Sequence, residues 1–300
     1  MARAAEAHRT RTAVLAIVAS VAALSLGDAV IKATSLSLPL WQMYILRSAI
    51  VAPVLWGLAR RRGPIRLAAP FWVAARSALL VVMWLSYYAS LPLNPLSLAA
   101  AAYYTGPLFI VAMAALVARQ WPPGRALFAI GCGFIGVLMI IRPDASGFGT
   151  AALLPVMAAF LYACAMVLTA ARCREDDPFV LALALNVAFI LAGAALGLFS
   201  GREGSFLLGP WRPVDLRLVA TVAALAALIL IGSVGAAIAY QQGPPATVAA
   251  FDYSYLAFSL IWGGLFFGEL PGVVALSGIA VIAGAGLLAL PTRRRRATSG

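Results

Sequence analysis

Ten apolar stretches, each about as long as a helix needs to cross a bilayer core of roughly 30 Å, decide what this chain can fold into. Inside hydrocarbon every backbone polar group must find an internal partner, which leaves only helices or a closed barrel. Barrel strands are shorter and alternate apolar with polar residues, and these stretches do neither. The expected fold class is an all-α polytopic membrane protein. The spans are read at 13–34, 39–59, 69–91, 95–117, 124–141, 149–171, 179–199, 216–240, 245–267 and 271–290. Pro39, Pro70, Pro95, Pro178, Pro245 and Pro271 mark span starts or connections. Proline in the first turn gives up no helical hydrogen bond. Arg3, Arg9 and Arg11 before an apolar run from Ala13 outline a signal peptide. That run continues beyond a signal-peptide core and carries Asp28 and Lys32, so it reads as the first span.

Charge then orients the spans. The net charge is +12 although only 11% of residues are charged. The arginines cluster beside spans, so they point to membrane orientation and not to nucleic acid. With both termini on the cytoplasmic side, fifteen arginines fall inside and four (Arg142, Arg202, Arg212 and Arg217) outside. Lys32, Arg47 and Arg76 fall within spans. Arg76 is close enough to the inner end of span three to snorkel. Cys132, Cys164 and Cys173 have neither metal-ligand nor disulfide spacing.

The chain also repeats itself. PLSLAAAAYYTGPLFIVAMAALVARQ from Pro95 aligns with PATVAAFDYSYLAFSLIWGGLFFGEL from Pro245, at an offset of 150 residues. Ser97 meets Thr247, Ala99 meets Ala249 and Tyr103 meets Tyr253. This divides the chain into a tail at 1–12, repeats at 13–143 and 144–291, and a basic tail at 292–300. Five spans per repeat force the second copy to enter the membrane from the opposite face. Transporters recurrently use such inverted repeats, with the substrate near the midplane between them.

Several marks resemble the drug/metabolite transporter superfamily, in particular its EamA-type ten-helix members. They are the arginine in LRSAIVAPVL (Arg47), the aromatic end of span three in WLSYYASLPLNPLSLAA, the junction FFGELPGVVALSGIAVIAGAGLLAL with Glu269, and the five-plus-five layout. Within that superfamily the chain is similar to YddG-type amino-acid exporters. The resemblance implies a multi-pass protein of the bacterial inner membrane that exports amino acids or related metabolites. It departs from the family pattern at Arg119, where many members carry an acid equivalent to Glu269. Glu269 is therefore read as a helix-end or topology residue.

Candidate site residues lie on polar and aromatic faces. Ser25, Asp28, Lys32 and Ser35 share one face of span one. Two readings stay open: a zwitterion-binding pair of Asp28 and Lys32, or a structural ion pair locking span one to span two. Intramembrane charges face an interior in either case. Arg47 then needs a carbonyl, a water or a substrate carboxylate. In span nine, Asp252, Tyr255, Ser259 and Trp262 recur at helical spacing. They suit an amphipathic solute, with Asp252 facing an ammonium. Trp262 reads rather as an interfacial anchor, and Tyr253 as a packing residue. Trp84 and Tyr88 share a face of span three, Tyr104 belongs to span four and Tyr162 lies deep in span six. Tyr87 and Tyr88 read equally as an outer aromatic belt. Gly106 and Pro107 interrupt span four, as a hinge or as a simple kink. Gly193 and Gly197 form a GxxxG packing face.

The function expected is secondary transport of small organic solutes, foremost neutral and aromatic amino acids, by alternating access. Other metabolites or drugs are the alternative cargo. An intramembrane enzyme is disfavoured because the single histidine, His8, is in the tail and no nucleophile–base pair lies within the spans. No P-loop is present to couple ATP. The expected partners are a small-molecule substrate and the lipid bilayer, with no cofactor, metal or obligate protein partner.

Overall fold

The computed structural model describes residues 2–33, 38–90, 93, 102–141, 153–268 and 272–289. Its helices are α1 (Ala2–Ala33), α2 (Leu40–Arg62), α3 (Pro70–Ser90), α4 (Gly106–Ala118), α5 (Gly124–Ile141), α6 (Leu153–Arg172), α7 (Pro178–Gly197), α8 (Leu216–Gln242), α9 (Pro245–Asp252), α10 (Ser254–Phe267) and α11 (Val273–Ala289). Among the described residues, seven helical stretches are long and apolar enough to cross a membrane and three apolar helices are shorter. The protein is an all-α polytopic membrane protein. Residues 2–12, expected as a tail, are the first turns of α1. The start of span four, Ser35, Arg142 and Glu269 lie outside the described residues, as do 292–300.

Local chemistry sets several of these boundaries. Pro178 opens α7 behind Asp177, whose carboxylate accepts from the Phe179 N–H. Asp215 caps α8 by accepting from Leu218 N–H at 2.7 Å. α4 stops at Arg119, in the left-handed region at φ 51°, and α10 at Gly268, at φ 67°.

Two spans are broken, at related places. Span four turns at Tyr104 and Thr105, just before Gly106 and Pro107, so these residues do mark a break. Span nine breaks at Tyr253, where no proline or glycine announces it. At each break a hydroxyl accommodates a carbonyl three residues back. Thr105 donates to the Ala102 carbonyl at 2.6 Å, and Ser254 to the Phe251 carbonyl at 2.6 Å. Broken backbone at this depth is tolerated only where protein or water satisfies it.

The helices pack chiefly as α1 with α8, α3 with α6, α2 with α7, and α5 with α11. Exchanging each span for the one five places along turns α1–α8 into α6–α3 and returns the other two pairs to themselves. Helix association in lipid relies on close packing, since lipid tails are as apolar as leucine. Small residues supply it here. A β-carbon on Gly193 would lie 2.8 Å from the Trp41 carbonyl oxygen, and one on Gly136 2.8 Å from that of Gly278. Gly235 approaches the Ala16 carbonyl equally closely.

The connections gather on two faces. On the basic face, Gln241 donates to the Cys173 and Asp176 carbonyls at 2.6 and 2.7 Å, and Arg174 donates back to the Gln241 carbonyl. The Asp176 carboxylate accepts from Ala68 N–H, and Arg62 pairs with Asp177 at 2.9 Å. These bonds tie the α2–α3, α6–α7 and α8–α9 connections together. On the opposite face the α7–α8 connection holds the start of α2. Leu40 N–H donates to the Phe206 carbonyl, Trp41 to Gly209, and Gln42 exchanges two bonds with Arg212.

Arg76 corrects the expectation that it snorkels. It is 1% exposed between α3 and α6, with its Nε donating to Thr169 Oγ1 at 2.7 Å. Six residues into α3, its guanidinium is held by the neighbouring helix and does not reach the surface.

Candidate functional site

Eight of the nine tyrosines belong to one connected set of ring contacts in the interior. Trp84 stacks on Tyr88 with centroids 5.4 Å apart and an interplanar angle of 23°. Tyr87 bridges to Tyr103 at 5.0 Å, and Tyr103 to Tyr162 at 6.1 Å. Tyr104 meets Tyr255 at 5.6 Å and Tyr253 at 6.4 Å. Tyr162 reaches Tyr240 edge-on at 6.5 Å. The set therefore draws on α3, the break of span four, α6, α8 and the break of span nine. On the opposite face Phe206 covers Tyr88 at 6.0 Å. An interfacial belt would put these rings at the lipid headgroups, whereas Tyr88 is 5% exposed and Tyr253 fully buried. Tyr88 thus packs as an interior ring, while Tyr87 beside it is half-buried.

Two carboxylates border this aromatic set, each held by tyrosine hydroxyls. Asp252, the last residue of α9, accepts from Tyr162 at 2.9 Å and Tyr240 at 3.4 Å. Asp28 on α1 accepts from Tyr255 on α10. Hydroxyl donors help a carboxylate sit away from water. The only ion pair among the described residues is Arg62–Asp177, at the basic face.

The break at Tyr253 also divides the polar stripe expected along span nine. Asp252 turns to α6 and α8, while Tyr255 and Trp262 turn to α1. Trp262 donates to Ser25 Oγ at 3.0 Å, which makes it a contact between α10 and α1. Ser259, half-buried, makes no recorded bond to the other described residues of the set. Lys32 lies in α1, but its side chain falls outside the described residues, as does any pairing with Asp28.

Arg47 is 7% exposed on α2, with its guanidinium 5.0 Å from the Phe189 ring centroid and 5.7 Å from that of Tyr44. Its charge is within electrostatic range of Tyr88, Tyr44 and Asp28. Of the ten residues singled out from the sequence, Asp28, Arg47, Trp84, Tyr88, Tyr104, Tyr162, Asp252 and Tyr255 thus lie in or beside one neighbourhood. Tyr87, Tyr103, Tyr240 and Tyr253 belong there too. The common signal was available: all nine tyrosines in the chain fall within the expected spans.

Comparisons with known proteins agree with a membrane protein built to move solutes. A riboflavin transporter of Rhizobium johnstonii is 29% identical over 226 residues, covering 73% of this chain and 69% of that protein. A riboflavin transporter of Brucella anthropi is 28% identical over 61% of this chain and 63% of its own length. The pseudopaline exporter CntI of Pseudomonas aeruginosa is 25% identical over 89% of this chain and 92% of that one. No family model matches the chain. A solved crystal structure, 19% identical, superposes with a TM-score of 0.76 over 95% of this chain and 96% of that one, a likeness of fold alone. The named relatives are transporters and not enzymes, and with them the chain is a membrane transporter of small molecules.

Proposed function

We propose that this chain is a secondary transporter of the EamA type in the drug/metabolite transporter superfamily, exporting neutral and aromatic amino acids across the bacterial inner membrane. The aromatic set with its two hydroxyl-held carboxylates carries this reading. Its rings offer apolar area and π-faces to an amphipathic solute, and its carboxylates attract an ammonium. Asp28 and Arg47, opposite charges within range of each other, suit the two charged ends of a zwitterion. Trp84, Tyr88, Tyr104 and Tyr162 line the pathway, with Lys32 and Ser259 near its edges.

The mechanism proposed is alternating access between inverted repeats at 13–143 and 144–291. The exchange-symmetric helix pairing and the two breaks, at Tyr104 and Thr105 and at Tyr253, support it. The bonded basic face and the arginine distribution support cytoplasmic termini. Solute counterflow in proteoliposomes across a panel of amino acids, organic cations and sugars tests the reading. Exchange of aromatic amino acids is expected, and failure of every amino acid to exchange refutes the amino-acid assignment.

A second reading takes a planar heteroaromatic metabolite as cargo. The tyrosine-rich lining and the two riboflavin-transporting relatives favour it. Adding riboflavin to the same panel separates the two readings.

A further inference from the structure

Three polar side chains on one face of α2 stand out because the fold gives them nothing to bond. Tyr44 and Ser48 are 0% exposed and Arg47 is 7% exposed. Spaced three and four residues apart, they share a face of the helix. The Tyr44 hydroxyl, the Arg47 Nε and the Ser48 hydroxyl are all buried without a hydrogen-bond partner. Buried polar groups are nearly always satisfied, and an orphan costs the desolvation of its group. Three orphans on one helix face, each able to donate, make that face a candidate to receive an acceptor.

The surroundings narrow that acceptor to an anion. A guanidinium donates and cannot accept, and no carboxylate lies within ion-pair distance of Arg47 among the described residues. Asp28, the acid in range, takes its hydrogen bond from Tyr255. The Phe189 and Tyr44 rings hold the guanidinium through their faces, and its Nε is left without a partner. Phe189 packs against Tyr44 at 4.7 Å, and Gly193 admits the α2 backbone to α7, so the donors sit on a rigid helix crossing. Tyr88, within range of Arg47, belongs to the aromatic set.

We infer that Tyr44, Arg47 and Ser48 form the subsite that receives the carboxylate of the transported solute, which restricts the preferred cargo to carboxylate-bearing molecules. This rests on the proposed transport function and adds a determinant of specificity to it. The charge of Asp28 acts on Arg47, so an α-amino acid can set its ammonium toward Asp28 and its carboxylate on the α2 donors, with its side chain toward the tyrosines.

The test uses the full-length protein in proteoliposomes with three probes: L-tryptophan, tryptamine, which lacks the carboxylate, and indole-3-propionate, which lacks the ammonium. Counterflow is measured for the wild type, Tyr44→Phe, Ser48→Ala and Arg47→Lys, and thermal unfolding is followed in detergent. Each loss of a donor to a charged acceptor should weaken apparent affinity for tryptophan and indole-3-propionate by about tenfold or more. Tryptamine exchange should stay at the wild-type level. Removing an orphan hydroxyl should leave thermal stability unchanged or raised. Arg47→Lys should weaken the same two probes, because lysine lacks the planar donor fork. If Arg47→Lys fails to fold, the two hydroxyl variants carry the test. Unchanged tryptophan affinity in Tyr44→Phe and Ser48→Ala, or parallel losses for tryptophan and tryptamine, overturns the subsite. A wild type that exchanges none of the probes refutes the amino-acid transport reading instead. In that case thermal stabilisation by indole-3-propionate, lost in both hydroxyl variants, keeps the subsite, and its absence overturns the subsite too.

Discussion

Gly133→Ala is the sharpest probe of how the helix packing holds the broken span in place. Gly133 lies in α5, and a β-carbon there would sit 2.5 and 2.7 Å from two ring carbons of Tyr253. Ordinary contact begins at 3.4 Å, so the ring must retreat by about 0.9 Å. It has little room to do so, being fully buried and packed on Tyr104. Tyr253 is also the hinge residue between α9 and α10, directly after Asp252. Overpacking of this kind costs typically about 1–3 kcal/mol. Replacing glycine by alanine in a helix interior returns roughly 1 kcal/mol, which would mask part of the cost. Gly131→Ala, two residues away in α5 with nothing within 4 Å, carries the same propensity gain and no clash. The difference between the two variants isolates the steric term, which should be about 1–3 kcal/mol by SDS titration in mixed micelles. Transport by Gly133→Ala should fall while Gly131→Ala stays near wild type. Tyr253→Val removes both clashing carbons, so in that background the Gly133→Ala penalty should shrink by about 1 kcal/mol or more. Equal stability of the two glycine variants, or a penalty that persists in the Tyr253→Val background, refutes the reasoning.

Other predictions concern coupling and the basic face. If a proton gradient drives transport, Asp28→Asn or Asp252→Asn should abolish the response of proteoliposome uptake to an imposed pH gradient; an unchanged response in both excludes these carboxylates from coupling. Gln241→Ala removes the donor to the Cys173 and Asp176 carbonyls, so maleimide labelling of the buried Cys173 should accelerate at least several-fold. Labelling at the wild-type rate would show that the hydrogen bonds do not seal that face. Arg62→Ala should change stability by less than about 1 kcal/mol in the same titration, because the Arg62 side chain is 60% exposed and surface pairs contribute little.

The fold class was legible in the sequence because hydrocarbon permits so few backbone solutions. Apolar length alone located most of the described helices to within a few residues, except where α1 runs back to Ala2 and where spans four and nine break. Two side chains were harder to place. Arg76 lay close enough to a span end for snorkelling, and only the neighbouring Thr169 on α6 decided that it stays buried. Trp262 had the composition of an anchor, and Ser25 on α1 made it a helix–helix contact.

The candidate site divides in the same way. Most of its members could be picked out one by one, as aromatics and charges inside apolar stretches. Gly106 and Pro107 announced the first break, because proline removes a helical hydrogen bond wherever it stands. The second break, at Tyr253, has no such residue, and Asp252 and Tyr255 read as neighbours on one continuous face. Packing against α1, α5, α6 and α8 turned them to different partners. By itself the sequence determined the helical class and the residues too polar to face lipid, since these follow from local composition and the bilayer. Only the tertiary structure decided which tyrosine meets which carboxylate, and which donors on α2 are left without an acceptor. Those pairings join residues from separate helices, and no local pattern encodes where such helices cross.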